Sequence, residues 1–550
     1  MKKLTLAYLL VLLILLVGCQ NLPNEQRSPD PAPGSSPTPA QPAPAASLPS
    51  QTPDSATGEA PALEPMATTA STATPIEPAK SLPSPSLFPG SWDDRDIYLS
   101  GLVPDEAGIL QELPGATVYH LNLDISDPTT VEGVMEARYT NQEDVALDEL
   151  VLHMFPEELG GGMNVANIRL NGEATESQTT SGILKIDLPE PLEPGEQVVL
   201  SLDFVTNVPG EESTKYKVLA YADNILALAH FYPMFAVYDD KGWHTEPPAD
   251  HGDETFADMS FYLVQVDTPK DQVLVAAGVE ADLEKTAGKQ QVTFAAAPVR
   301  DFYLVSSDNL DVAQRQLGPV MLNSYAPPDR IEGAELALDV AAHSLESYAA
   351  RFGAYPYREL DIVSTPTDAL GIEYPGIFAN ALRIYDLSEN TSGLPNAVLL
   401  ESVTAHEAGH QWFYNLVGND QLNEPWLDEA TTQYATWMYY VDRYGEQNAQ
   451  GYYDSLDGRW ARTEYADIPI GLPADAYSGL EYGAIVYGRG PIFLNELAEI
   501  MGQETFDEFL RDYSEQYRWQ IAYGQDFMEL AEQHCDCDLS ELFAEQVFGN

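Results

Sequence analysis

Thr404-Ala405-His406-Glu407-Ala408-Gly409-His410-Gln411-Trp412, followed by Pro425-Trp426-Leu427-Asp428-Glu429-Ala430-Thr431, is the pair of segments from which the rest of the chain can be read. Residues four apart are neighbours on a helix, so the spacing predicts that His406 and His410 point the same way and share one ion. Zinc takes nitrogen ligands at about 2.0–2.1 Å. Glu407 follows the first histidine and lies beside such a metal rather than on it, which suits a general base acting on water. Leu399, Leu400, Val403 and Trp412 supply an apolar face that would seat this helix, expected over residues 399–416, in a core. Residues 428–444 again read as a helix, which puts Glu429 in the first turn of an antiparallel neighbour. Two histidines and one glutamate with a fourth position open form the ligand set of a catalytic zinc site, with one ion per chain.

Two flanking segments extend the pattern. Upstream stands Gly371-Ile372-Glu373-Tyr374-Pro375-Gly376, and downstream Val486-Tyr487-Gly488-Arg489-Gly490. With the two segments above, they make the chain resemble the gluzincin aminopeptidases related to aminopeptidase N and to the leukotriene-epoxide hydrolases. Phe231-Tyr232-Pro233 and Gly242-Trp243-His244 are similar to segments of bacterial members. The resemblance runs from about residue 92 to the end and is strongest over residues 355–506. It implies a thermolysin-like catalytic domain, His406, His410 and Glu429 as metal ligands, and Glu407 as general base. It further implies that Glu373 binds the free α-amino group of a peptide and that Tyr487 donates to the oxyanion. Three departures stand out: Ile372 replaces the family's Met, Tyr374 its Asn and Arg489 its Lys. The last keeps charge but not geometry. Many relatives carry a long helical C-terminal domain, whereas this sequence stops soon after the catalytic helices, so a more open site is expected.

The regions around this core differ in composition. Lys2 and Lys3 precede an apolar run at residues 4–17 and then Gly18-Cys19. That run is too short for a spanning helix, which needs about 20 residues, but suits a signal peptide. Leu16-Val17-Gly18-Cys19 resembles a bacterial lipobox, so residues 1–19 are expected to be a lipoprotein signal with Cys19 lipidated. The protein would then be extracytoplasmic and anchored to a membrane by its lipid. Residues 20–91 are rich in Pro, Ala, Ser and Thr and read as a disordered tether. Residues 92–327 show strand-like alternation at 118–123, 183–188, 198–204, 261–266, 273–276 and 302–305. Asn171-Gly172 and Pro194-Gly195 mark turns between strands, and a mainly antiparallel β domain is expected. After Pro327 the period becomes helical, first at 334–352, so residues 328–550 are expected to form the helical catalytic domain. The fold class is multi-domain α+β, with an N-terminal antiparallel β domain followed by a mainly helical one.

With 26 Lys+Arg against 86 Asp+Glu, the formal charge is −60. That balance argues against nucleic acid as a partner and for attraction of cations, including the ammonium of a peptide. Cys535 and Cys537 are compatible with a disulfide or, with His534, with a small soft-metal site; Gln433 is a candidate to brace a metal ligand. The expected activity is removal of residues from the amino end of peptides. Two alternatives stay open at this level: an endopeptidase or epoxide hydrolase using the same zinc, and a catalytically inactive peptide-binding lipoprotein.

Overall fold

The computed structural model describes residues 82–549 apart from 89 and 91. The lipobox and residues 20–81 lie outside them. Residues 82–88 and 90, which composition assigns to the tether, belong instead to the folded unit. The amides of Ser86 and Leu87 donate to Glu136 Oε2 at 2.9 and 3.1 Å, and Trp92 Nε1 donates to the carbonyl of Pro83. Leu82 and Phe88 pack on the core. These few apolar residues gain enough burial to order a stretch that its Pro/Ser content alone would leave loose.

The β half is built on an eight-stranded sheet. Its strands run, in spatial order, Val279–Lys285, Lys289–Val299, Ser260–Pro269, Thr117–Asp127, Thr130–Thr140, Gln197–Asn207, Gly162–Leu170 and Glu173–Ala174. Alternation is the cause: Leu121, Leu123 and Ile125 are buried while Asn122 and Asp124 are partly open. Asn171 and Gly172 take positive φ (49° and 85°) at the turn joining Gly162–Leu170 to Glu173–Ala174. The sheet departs from the antiparallel expectation at one place, where Thr117–Asp127 and Ser260–Pro269 run parallel with Thr117 opposite Ser260. Two four-stranded sheets and a two-stranded ribbon, Tyr238–Asp239 with Gly242–Trp243, complete this half.

The C-terminal half is not purely helical. A five-stranded sheet orders Asp311–Leu317, Val320–Ala326, Glu359–Thr365, Ile377–Ala381 and Gly371–Tyr374. The hairpin 311–326, which the sequence reading gives to the β domain, therefore pairs with the sheet of the C-terminal half, and the change of period at Pro327 falls inside that half. Short strands such as Gly371–Tyr374 carry no length of alternation from which to read them. Seven helices of twelve or more residues follow: α1 (Ile331–Phe352), α2 (Asn396–Gly409), α3 (Trp426–Tyr444), α4 (Glu446–Trp460), α5 (Gly490–Met501), α6 (Gln503–Gln516) and α7 (Gly524–Cys535). On α1 the buried Ala334, Ala337, Leu338, Ala341, Leu345, Tyr348 and Phe352 form one stripe against the sheet and α2. Tyr348 fixes that contact by donating its hydroxyl to the Ala405 carbonyl at 2.8 Å.

Arg300 locks the halves together. Its buried guanidinium donates to the carbonyls of Tyr414 (2.6 Å), Ala257 (2.9 Å) and Gln520 (2.7 Å). A Cβ on Gly418 would come within 2.1 Å of its Cζ, so that position has room only for hydrogen. Burial pulls the guanidinium down to about 10, leaving it charged at neutral pH. Cys535 and Cys537 are disulfide-bonded, which removes the soft-metal alternative, and His534 pairs with Asp512 at 3.1 Å. Among the described residues no helix is long and apolar enough to cross a membrane.

Candidate active site

The two histidines arise from the end of one helix. α2 stops at Gly409 and His410 is its C-cap residue, so the helix is shorter than residues 399–416, yet the last turn still brings both imidazoles together, edge to face with centroids 4.7 Å apart. Glu429 comes from the first turn of α3, where the helix dipole favours a carboxylate. His406 Nε2 lies 3.1 Å from Glu429 Oε2 and 3.1 Å from His410 Nε2, and His410 Nε2 lies 3.6 Å from the same carboxylate oxygen. Three ligands at about 2.0–2.1 Å from a tetrahedral zinc would stand about 3.3 Å apart. The observed edges match that figure. His410 Nδ1 sits 3.0 Å from the Phe413 carbonyl, to which it donates, so a neutral His410 turns its Nε2 lone pair inward. Two nitrogen lone pairs and a carboxylate oxygen at such distances repel one another unless a cation sits between them. The residues fit zinc.

Glu407 and Glu373 stand beside this trio, each with a carboxylate oxygen in one cluster with a His410 ring nitrogen, all within 4.8 Å of one another. Glu407 Oε2 is buried and has no hydrogen-bond partner. Burial raises its carboxyl well above the usual range, and the charges of Glu373 and Glu429 add to this against His410. Its position is set from across the cleft: a Cβ on Gly371 would fall 2.3 Å from Glu407 Oε1. Gln411, next to His410, clamps the segment that carries Glu373. Its Nε2 donates to the Tyr374 carbonyl at 3.0 Å, and its Oε1 accepts from the Gly376 amide at 2.9 Å. Tyr374, which stands in place of the family's Asn, stacks on Tyr303 at 3.9 Å and so serves as an anchor for the strand. Tyr487 lies in a π-helical turn, Ile485–Arg489, and its hydroxyl donates to Glu429 Oε1. Arg489 points away from the site, pairing with Asp467 at 2.7 Å.

Sequence reading missed several members. Carboxylate oxygens of Asp253, Glu373 and Asp428 lie within 4.8 Å of one another. Gln421 Nε2 donates to Glu373 Oε1 (3.0 Å) and Asp428 Oδ2 (2.7 Å), while Thr255 Oγ1 donates to Gln421 Oε1 at 3.2 Å. Asp253 and Thr255 belong to a loop of the β half, about 120 positions before Glu373, and no motif points to them. Burial is the main reason that Asp253 and Glu373 sit above the usual carboxylate range and that Asp428 is raised to about 8; neighbouring carboxylates add to each. Five acidic groups thus meet two histidines, an excess that calls for cationic guests. Gln433 braces no metal ligand: its Oε1 accepts from the Tyr452 hydroxyl at 2.6 Å. The site opens into a cavity of about 230 Å³, lined by His406, Glu407, Glu373, Asp253, Tyr487 and other groups from both halves.

The chain is similar to known proteins. The profile of the Peptidase family M1 domain matches residues 336–546. Endoplasmic reticulum aminopeptidase 2 of Homo sapiens is 24% identical over 372 residues, which is 63% of this chain and 37% of that protein. Probable aminopeptidase 2 of Sulfurisphaera tokodaii is 24% identical over 294 residues, 52% of this chain and 38% of that protein. The chain thus spans little more than a third of the length of these curated relatives. Among solved structures, an M1 zinc metallopeptidase from Deinococcus radiodurans superposes with a TM-score of 0.54 at 20% identity, covering 76% of this chain and 90% of that one. A mutant of the same metallopeptidase bound to a Tyr-Ser-Ala substrate gives 0.57 at 19% identity, covering 78% and 94%.

Proposed function

We propose that this chain, whose residues 336–546 carry a peptidase family M1 domain, is a zinc aminopeptidase that removes residues from the free amino end of peptides. One observation carries the choice over an endopeptidase: the carboxylates of Asp253, Glu373 and Asp428 gather within 4.8 Å of one another, with Glu373 also in a cluster with the metal-site residue His410. An internal peptide bond offers them no charge, whereas an α-ammonium does, and each charge-assisted contact is worth about 1.5–3 kcal/mol. An epoxide substrate leaves the same carboxylates without a partner.

The division of labour follows. His406, His410 and Glu429 would hold one zinc ion, which when bound acts as a Lewis acid and lowers the pKa of water toward about 7. Glu407, raised by burial, takes the proton of the attacking water and passes it to the leaving amine. Glu373, with Asp253 beside it, orients the ammonium. The Tyr487 hydroxyl, which donates to Glu429 Oε1, would donate to the oxyanion of the tetrahedral intermediate once substrate is bound. The inactive-lipoprotein alternative is disfavoured by the presence of every one of these groups in a single cavity. The Leu16-Val17-Gly18-Cys19 segment supports a further part of the reading, a lipid anchor at Cys19 that keeps the enzyme extracytoplasmic on a membrane. Loss of metabolic palmitate label in Cys19→Ser would test it.

The activity is tested with purified protein, its zinc content, and paired peptides with free and acetylated amino ends. The expected result is about one zinc per chain, release of the first residue from free peptides alone, and loss of turnover on chelation with recovery on adding zinc. Glu407→Gln should keep the zinc and lose a factor of about 10²–10⁴ in kcat. Equal cleavage of acetylated peptides would overturn the aminopeptidase assignment, and metal-independent turnover would overturn the zinc mechanism.

A further inference from the structure

The acidic excess of this chain makes one pair of arginines conspicuous. Seven described guanidiniums pair with a carboxylate, among them Arg351 with Asp442 (2.7 Å), Arg443 with Asp339 (2.8 Å) and Arg518 with Glu106 (3.0 Å), while others, such as Arg300 and Arg358, donate to backbone carbonyls of the fold. With 86 acidic residues against 26 basic ones, pairing is the expected outcome. Arg459, at the end of α4, and Arg462, in the turn that follows, make no ion pair among the described residues, yet both line the active-site cavity and both are partly buried. Arg459 is held in place. Its Nη1 donates to the Tyr487 carbonyl at 3.2 Å, and its Cζ lies 6.0 Å from the centre of the Tyr487 ring. The Tyr487 ring in turn faces His406 at 6.0 Å.

These arginines and the acidic cluster flank the metal trio from different sides. Glu373 and Glu407 share a 4.8 Å cluster with His410. Arg459 stands on the side of His406, because the Tyr487 ring neighbours both of them. The Arg462 guanidinium is itself lowered, by burial first and then by Arg459, so two like charges are kept close without a counter-ion. Keeping two cations unpaired at a cleft costs free energy that a bound anion recovers.

We propose that Arg459 and Arg462 bind a carboxylate on the leaving-group side of the substrate, so that the cavity recognises a peptide by charge at both ends. This rests on the aminopeptidase reading and deepens it: the ammonium enters among Asp253, Glu373 and Asp428, the scissile carbonyl lies at the metal trio, and an anion beyond it meets the guanidiniums. Two sources supply that chemistry. One is the terminal carboxylate of a di- or tripeptide, the other an Asp or Glu side chain one or two residues after the scissile bond. A planar guanidinium suits either through paired N–H donors.

The test compares kcat/KM for Leu-Ala-Ala, its C-terminal amide, and the amides of Leu-Asp-Ala and Leu-Ala-Glu. The expected result is a preference of about 10-fold or more for at least one carboxylate-bearing substrate over the neutral amide, and the substrate that shows it identifies the source. The preference should fall to within twofold in Arg462→Gln and in the double variant with Arg459→Gln, and be kept in part by Arg462→Lys. Ratios are taken within each protein, so a general loss of activity cancels. Calorimetric binding of Leu-Ala-Ala and its amide to Glu407→Gln protein gives a readout without turnover, with the same preference expected. Equal rates for all four peptides in the unaltered enzyme, or a preference that survives both arginine substitutions, would overturn the inference. Failure to release leucine from any of them would instead strike the aminopeptidase reading.

Discussion

In the proposed aminopeptidase, exopeptidase action would turn on Glu373. Gln421 holds one of its oxygens at 3.0 Å, and burial makes an unpartnered charge there costly. An incoming ammonium relieves that cost. Glu373→Ala should therefore lower kcat/KM for free-amine peptides by about 10–100-fold, with little effect on any residual cleavage of acetylated ones; equal loss on both would remove its assigned role. Tyr487→Phe keeps the ring and deletes the donor, and should lower kcat by about 10²–10³ with zinc content unchanged. Glu373 and Tyr487 were legible as single residues because a short motif surrounds each. Asp253 and Gln421 were not, since an ordinary Asp or Gln in a loop acquires meaning only from what stands opposite it in space.

At the scale of elements, the strand Gly371–Tyr374 and the helix α2 define the working gap. Glycine at 371 is required by proximity: any Cβ there would strike the Glu407 carboxylate. Gly371→Ala should displace that carboxylate and lower kcat at least about tenfold while zinc binding, measured by metal content, is kept. Unchanged kcat would mean that the strand yields more easily than its Gln411 clamp suggests. The π-helical turn Ile485–Arg489 has a similar role. One extra residue in the turn re-aims a side chain, and here it brings the Tyr487 hydroxyl onto Glu429. A Cβ on Gly490 would lie 2.6 Å from Ala430 Cβ, so the turn is pressed against α3 close to the metal ligand. None of this is visible in the periodicity of the sequence, which shows a helix and not the register of its last turn.

For the whole molecule, acidity governs stability. The formal charge of −60 favours solubility and opposes compactness through self-repulsion. Glu254 and Glu424 are each raised to about 7, chiefly by burial. Their folded pKa values lie above the unfolded value of 4.5, so the stability they contribute is present in full below about pH 4.5 and is lost as pH rises through about 7. The Tm measured by calorimetry should accordingly fall between pH 5.5 and 8.5. At pH 8.5, raising salt from 0.02 to about 0.3 M should recover part of it, because screening weakens repulsion between exposed charges. Glu254→Gln should flatten the pH slope. A Tm that rises over this interval would contradict the account.

The sequence alone pointed to the residues of the centre, two histidines one helical turn apart and a glutamate at the head of the next helix, and to the order of a β half before a mainly helical one. Periodicity and short motifs encode such things locally. Only the tertiary structure decided that the hairpin 311–326 joins the five-stranded sheet of the C-terminal half, that residues 82–88 pack on the fold, and that an acidic loop of the β half and an arginine pair at the end of α4 face the same cavity. Those placements depend on contacts between residues far apart in the chain, and no local pattern records which distant side chain will fill the space opposite.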